Sequence, residues 1–120
     1  NQHLFVETAD GEYIPDDFRH ELALYTNGLL FTGCAHSGLE NILAATPFPV
    51  NEVVGGFHLL DGHESEDELG ELAYRLTDYY PQTHFHTSHC TGDAVFSTLK
   101  DVMDERLQAF SCGTNIEIEI

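Results

Sequence analysis

Asn27-Gly28 stands between two apolar runs, Glu21-Leu22-Ala23-Leu24-Tyr25-Thr26 and Leu29-Leu30-Phe31-Thr32-Gly33, and no other dipeptide in the chain restricts the fold as much. A two-residue type I′ turn needs positive φ at both central positions, which asparagine followed by glycine supplies at the least steric cost. Two antiparallel strands are therefore predicted here. Downstream, strands alternate with helices. Ser37 with Glu40 reads as a capping box, opening a short helix with Leu39, Ile42 and Leu43 on one face that stops before Pro47. Val50–Leu60 reads as a buried strand with close backbone packing at Gly55-Gly56. Ser65 with Glu68 forms a second capping box, for a helix whose apolar face is Leu69, Leu72, Ala73, Leu76 and Tyr80 and which Pro81 ends. Thr83–Ser88 is a short strand, and Thr91 is placed to cap a third helix with Val95, Phe96, Leu99, Val102 and Met103 inward. Ala109-Phe110-Ser111-Cys112 and the alternating Ile116, Ile118 and Ile120 read as closing strand segments.

The first 17 residues are polar and turn-rich, with Asp10-Gly11 and Pro15-Asp16-Asp17 as turn signals. The remaining order is β-β-α-β-α-β-α-β. That order predicts an α/β unit, a mixed sheet flanked by helices that are reached by right-handed crossovers. With 120 residues, no internal repeat and no linker, residues 1–120 are expected to form one unit.

Charge narrows the partners. Four Lys and Arg against 21 Asp and Glu leave a net charge of −17, which repels nucleic acid and anionic membrane surfaces alike. No apolar run reaches the roughly 18–20 residues that a membrane-spanning helix needs. The first residues lack the basic and then apolar pattern of a secretory signal. Three cysteines, Cys34, Cys90 and Cys112, cannot all pair and read as thiols in a reducing compartment, so the cytoplasm is expected. Gly55-Gly56 lacks the Lys-Ser/Thr of a phosphate-binding loop, and no Gly-x-Ser-x-Gly elbow occurs.

Eight histidines mark where chemistry is expected. Ligands of open α/β sheets gather beyond the carboxyl ends of the strands, near helix N-termini. Cys34 and His36 follow one predicted strand, His58 a second, and His89 and Cys90 a third. Imidazole and thiolate are the usual ligands of zinc and similar ions. Cys34-Ala35-His36, if extended, would aim both side chains to one side. His84 and His86 share a face of a short strand and are expected at the surface or supporting the site. His3, His20 and His63 are expected in solvent, and Cys112 in the core as a small apolar residue. The acidic run Glu64, Glu66, Asp67 and Glu68 suits a helix N-terminus.

These residues resemble a known family. Pro15-Asp16-Asp17-Phe18 with Glu21-Leu22-Ala23-Leu24, Gly28 to Gly38 with its Gly33-Cys34-Ala35-His36-Ser37-Gly38, Val54-Gly55-Gly56-Phe57-His58-Leu59, His89-Cys90-Thr91-Gly92 and Ser111-Cys112-Gly113-Thr114 occur in order. Together they look like the metallo-β-lactamase-fold metallohydrolases, in the subgroup named dihydropterin-ribofuranosylaminobenzene-phosphate synthase-like. The resemblance spans about residues 12–118. It implies an αββα sandwich with one or two metal ions, zinc or else iron or manganese, at the edge between two sheets. It also implies hydrolysis of a small-molecule ester, phosphoester or lactone by a metal-bound hydroxide. Cys34 corresponds to a ligand that is usually Asp and sometimes Cys, His89 to the last His ligand, His36 to a further ligand, and His58 to a catalytic residue near the substrate.

The family's H-x-H-x-D-H motif is absent, and His84-Phe85-His86 is followed by Thr87 and Ser88 instead. The resemblance therefore implies the C-terminal half of the sandwich, with an incomplete metal site and no activity of its own. It also implies a sheet face that pairs with a missing N-terminal half or with a second copy. Two other readings of the same residues are a non-catalytic metal-binding or assembly module, and a Cys–His nucleophilic enzyme using Cys34 or Cys90 with His36 or His89.

Overall fold

The computed structural model describes residues 5–15, 17, 21–58, 65–88 and 91–118. His3, Asp16, Phe18, His20, Leu59, Leu60, His63, Glu64, His89, Cys90 and Ile120 carry expectations from the sequence and lie outside the described residues. The polar N-terminal stretch contains a hairpin that the sequence did not announce. Strands β1 (Phe5–Glu7) and β2 (Tyr13–Pro15) pair antiparallel around the expected Asp10-Gly11 turn, where Gly11 has a φ of 80°.

A five-stranded sheet follows. Strand β3 (Ala23–Thr26) runs antiparallel to β4 (Leu29–Thr32) across Asn27 and Gly28, whose φ values of 46° and 85° are those the type I′ turn demands. Helix α1 (Leu39–Ala45), strand β5 (Glu52–Val54), helix α2 (Glu66–Tyr79), strand β6 (His84–Thr87), helix α3 (Asp93–Met103) and strand β7 (Leu107–Ala109) complete the predicted alternation. The sheet order is β3-β4-β5-β6-β7, with β4 to β7 mutually parallel. This is the mixed α/β sheet flanked by helices that the pattern implied. Strands laid down in chain order with crossovers of one hand put every helix on one face. The core agrees: Leu39 and Leu43 of α1, Leu69, Ala73 and Leu76 of α2, and Leu99 and Met103 of α3 meet the sheet row Leu30, Val53, Phe85 and Leu107. Each large side chain buried there contributes about 1.5–3 kcal/mol.

The opposite face carries the alternate row, Leu24, Phe31, Val54, His86 and Gln108, in register across the five strands. Leu24 is 62% exposed and Phe31 39%, so the apolar β3–β4 end of this row is open to solvent, while His86 within it is buried. No helix among the described residues is long and apolar enough to cross a membrane.

Several local expectations are corrected. Ser65 caps α2 as expected, its Oγ accepting from the Glu68 N–H at 3.2 Å, while the reciprocal half of the box is replaced by a bond from the Ser65 hydroxyl to Glu68 Oε1 at 3.3 Å. The Ser37 box does not form. Gly38 is the N-cap of α1, Ser37 Oγ donates to Glu21 instead, and Glu40 is held by Arg75 at 2.9 and 2.8 Å. Thr91 likewise does not cap α3, whose N-cap is Gly92; its hydroxyl accepts from the Phe57 N–H and lies 2.5 Å from the Thr87 hydroxyl. Of the described residues in the strand expected over 50–60, Glu52–Val54 stays in the ladder. The tail bends through a turn in which the Thr114 N–H reaches the Ser111 carbonyl at 3.0 Å, and Ile116 and Ile118 form no strand. Cys112 is exposed on that turn rather than buried in the core.

Candidate functional site

The carboxyl ends of the parallel strands β4 and β5 feed two loops that run side by side. The Gly56 N–H donates to the Gly33 carbonyl at 2.8 Å, and the Gly55 N–H to the His86 carbonyl at 3.0 Å. These bonds carry the sheet's order one step past the strands and fix where the loops begin. Phe57 anchors its loop from below, 3% exposed and edge-to-face with Phe85 at 6.3 Å.

His36 and His58 meet above this frame, with ring centroids 4.4 Å apart and planes inclined at 73°. His58 adopts a φ of 49°, a left-handed conformation that L residues visit at a cost, and its buried Nδ1 has no hydrogen-bond partner among the described residues. Cys34 is half-buried in the same loop as His36. The segment is not extended as expected: Ala35 turns the chain with a φ of 57° and buries its methyl group completely, so Cys34 and His36 are presented by a tight turn rather than by a strand.

Glu21, which the sequence reading assigned no role, organises this turn. Its Oε2 accepts from the His36 N–H at 2.7 Å and lies 3.1 Å from His36 Nδ1. Its Oε1 accepts from the Ser37 N–H at 3.0 Å and the Ser37 hydroxyl at 2.7 Å. Burial alone would push this carboxyl's pKa up; the bonds from Ser37 and His36, with the charge of His36, more than offset it and hold the pKa below the ordinary carboxylate value. The local sequence offers no signal for this role, because the partners of Glu21 lie on the far side of the hairpin.

The structure therefore brings His36 and His58 together, with Cys34 in the same turn, while His89 lies outside the described residues. Among the described residues no three His, Cys, Asp or Glu side chains are grouped so as to hold a metal ion. A structural or catalytic zinc site takes three or four protein ligands. The described residues alone therefore do not make one. His84 is exposed as expected, but His86 is buried on the open sheet face, where its Nε2 is 2.8 Å from Glu52 Oε2.

A cleft of about 790 Å³ opens beside this edge, between the ends of β6 and β7 and the start of α3. Ser88, Asp93, Phe96, Phe110 and Cys112 are among its walls.

No family model matches the chain. It is 31% identical over 97 residues to the uncharacterized protein MJ0448 of Methanocaldococcus jannaschii, a match that takes in 78% of this chain and 36% of that protein. Among solved structures, it is similar to Tm1679, a metal-dependent hydrolase of the beta-lactamase superfamily, with a TM-score of 0.76 and 28% identity. That match covers 97% of this chain and 47% of Tm1679. The chain thus spans less than half the length of either relative, and its mixed sheet with flanking helices is the fold found in a matching portion of a metal-dependent hydrolase of the beta-lactamase superfamily.

Proposed function

We propose that this chain is the C-terminal half of a metal-dependent hydrolase of the metallo-β-lactamase fold, in the dihydropterin-ribofuranosylaminobenzene-phosphate synthase-like subgroup. The observation that carries the reading is the likeness to a metal-dependent hydrolase over 97% of the chain, in a structure whose His36 and His58 meet at the carboxyl edge of the sheet. In this reading Cys34, His36 and His89 are ligands, and His58 stands near the substrate. The missing donors come from the other half. A bound zinc, iron or manganese ion would supply Lewis acidity and a lowered pKa for water. The substrate is a small ester, phosphoester or lactone. The open row of Leu24, Phe31 and Val54 is covered by the other half, and the cytoplasm is the compartment.

The test compares the 120-residue chain with the same chain joined to, or mixed with, its N-terminal half, by elemental analysis and hydrolysis of nitrophenyl esters and phosphodiesters. The expected result is negligible turnover alone and stoichiometric metal with turnover in the complemented protein. Cys34→Ser, His36→Ala and His89→Ala should each lower the metal content. Metal content indifferent to all three substitutions, or a coding frame and partners without any H-x-H-x-D-H segment, overturns the reading. The second reading is a non-catalytic metal-binding or assembly module. Complemented protein that binds metal but hydrolyses nothing would favour it.

A further inference from the structure

The cleft at the carboxyl edge is built from three segments. The Phe110 N–H donates to the Thr87 carbonyl at 2.9 Å, which carries the β6–β7 pairing one residue past β7 and fixes one wall. The Thr114 N–H bond to the Ser111 carbonyl, with Gly113 at a φ of 88°, turns the chain so that Cys112 also lines the cleft. Helix α3 contributes Asp93 and Phe96. At the base, Thr91 accepts the Phe57 N–H and shares a bond with Thr87, so the cleft is tied to the residue just before His58. Ser88, another lining residue, is followed in the chain by His89. Chain neighbours of both His58 and His89 therefore bound this cavity.

Its volume of about 790 Å³ falls in the range of about 300–1,000 Å³ of small-molecule sites, which are apolar with a few placed polar groups. Phe96 and Phe110, both half-buried, supply aromatic surface from two sides of the chain. Among the described residues that line the cleft, none is Lys, Arg or His, and the carboxylate is that of Asp93. Asp93 is exposed in the first turn of α3, where it answers the positive end of the helix dipole. A second negative charge entering here would meet Asp93, in a chain that already carries a net charge of −17. An uncharged aromatic group meets no such opposition and buries its surface against the two phenyl rings.

We propose that this cleft holds the uncharged aromatic part of the substrate, so that the bond hydrolysed belongs to a neutral carboxylic ester or lactone and not to a phosphoester. The inference rests on the reading of His58 and His89 as parts of a hydrolytic site, and narrows the substrate of that site. Hydrolysis of such an ester breaks the acyl C–O bond, joins the acyl carbon to the oxygen of one water, passes a proton to the departing alcohol oxygen and leaves a carboxylic acid. At neutral pH that acid ionises, and the Asp93 charge that tolerates the neutral ester disfavours the carboxylate product.

Nuclear magnetic resonance titration of the full 120-residue chain tests this, with methyl benzoate and the lactone phthalide as neutral probes and phenyl phosphate as the charged one. Both neutral probes should shift the signals of Thr87, Phe96, Phe110 and Cys112 saturably, and phenyl phosphate should bind about tenfold more weakly than methyl benzoate. Phe96→Ala and Phe110→Ala should each weaken methyl benzoate about tenfold. Asp93→Asn should narrow the gap between methyl benzoate and phenyl phosphate. No saturable shift in the cleft overturns the proposal, as does phenyl phosphate binding as tightly as methyl benzoate, or a gap that Asp93→Asn leaves unchanged. Where Phe96→Ala fails to fold, Cys112→Trp changes an exposed residue, should leave the fold intact and should fill the cleft. A folded Cys112→Trp that takes methyl benzoate as the parent does overturns the proposal. The complemented protein separates this inference from the reading beneath it. Metal-loaded protein that hydrolyses phosphodiesters and not nitrophenyl esters overturns the inference and leaves the hydrolase reading in place. Protein that binds no metal, yet takes the neutral probes in this cleft, overturns the hydrolase reading and leaves the cleft's preference standing.

Discussion

Gly55 lies so close to Thr32 that a methyl group on its Cα would stand 2.6 Å from the Thr32 carbonyl oxygen. Strands β4 and β5 are neighbours in the ladder there, and the Gly56 bond to Gly33 stops the two loops from parting. Gly55→Ala should therefore lower stability by about 1–3 kcal/mol, the range for overpacking a site that cannot expand. Urea unfolding checks it. A variant as stable as the parent would show that the strands separate freely.

Phe85 is fully buried on β6, in the core cluster shared with the three helices. Phe85→Ala should cost about 3–5 kcal/mol through lost burial and the cavity left behind. Because Phe57 rests on that ring, the same substitution should also disturb the His58 loop, visible as altered His58 ring signals in a variant still folded.

Tyr25, a residue of β3, closes the hairpin with its side chain. Its hydroxyl donates to the Pro49 carbonyl at 2.9 Å and accepts from the Gly28 N–H at 3.0 Å. Tyr25→Phe removes both bonds without changing the packed ring, and should cost about 1–2 kcal/mol in thermal or urea unfolding. It should also raise hydrogen exchange at Gly28 well above that of its neighbours.

Acid should act on the Glu21 turn with a defined sign. A carboxyl held below its ordinary pKa in the folded state binds protons more readily when unfolded. Its contribution to stability is complete above the ordinary carboxyl value and is lost as pH falls through the lower folded value. Glu21→Gln should therefore flatten the acid limb of stability against pH, with the difference from the parent largest at neutral pH. Equal differences at neutral and strongly acid pH would contradict this.

The open sheet row gives a prediction about association. Leu24→Glu and Phe31→Glu change residues that are 62% and 39% exposed, so the isolated chain should stay folded. Both should weaken assembly with the N-terminal half, or with a second copy, in sedimentation velocity. Unchanged association would move the contact to another face.

What the sequence made legible follows the range of each interaction. The Asn27-Gly28 turn and the Ser65 bond to the Glu68 N–H depend on residues three or fewer apart, and both formed. Ser37 and Glu40 carry the same capping pattern, but Glu21 takes the hydroxyl and Arg75 takes the carboxylate, and neither competitor is local. Thr91 is drawn away in the same manner by Thr87 and Phe57. At the site, alternation of strands and helices located His36 and His58 at one edge. The left-handed turn at Ala35, the role of Glu21 and the Glu52 partner of His86 arise only from tertiary packing.

The order β3-β4-β5-β6-β7 also bears on how the molecule forms. Every strand of this sheet pairs with the one made just before it, so no early strand has to wait for a late one to be threaded beside it. Topologies dominated by such near-neighbour pairings cross lower entropic barriers than those that must close long loops first. A ribosome releasing this chain from its N-terminus would let the hairpin at Asn27 seed the sheet, with each helix–strand pair then added to a finished edge.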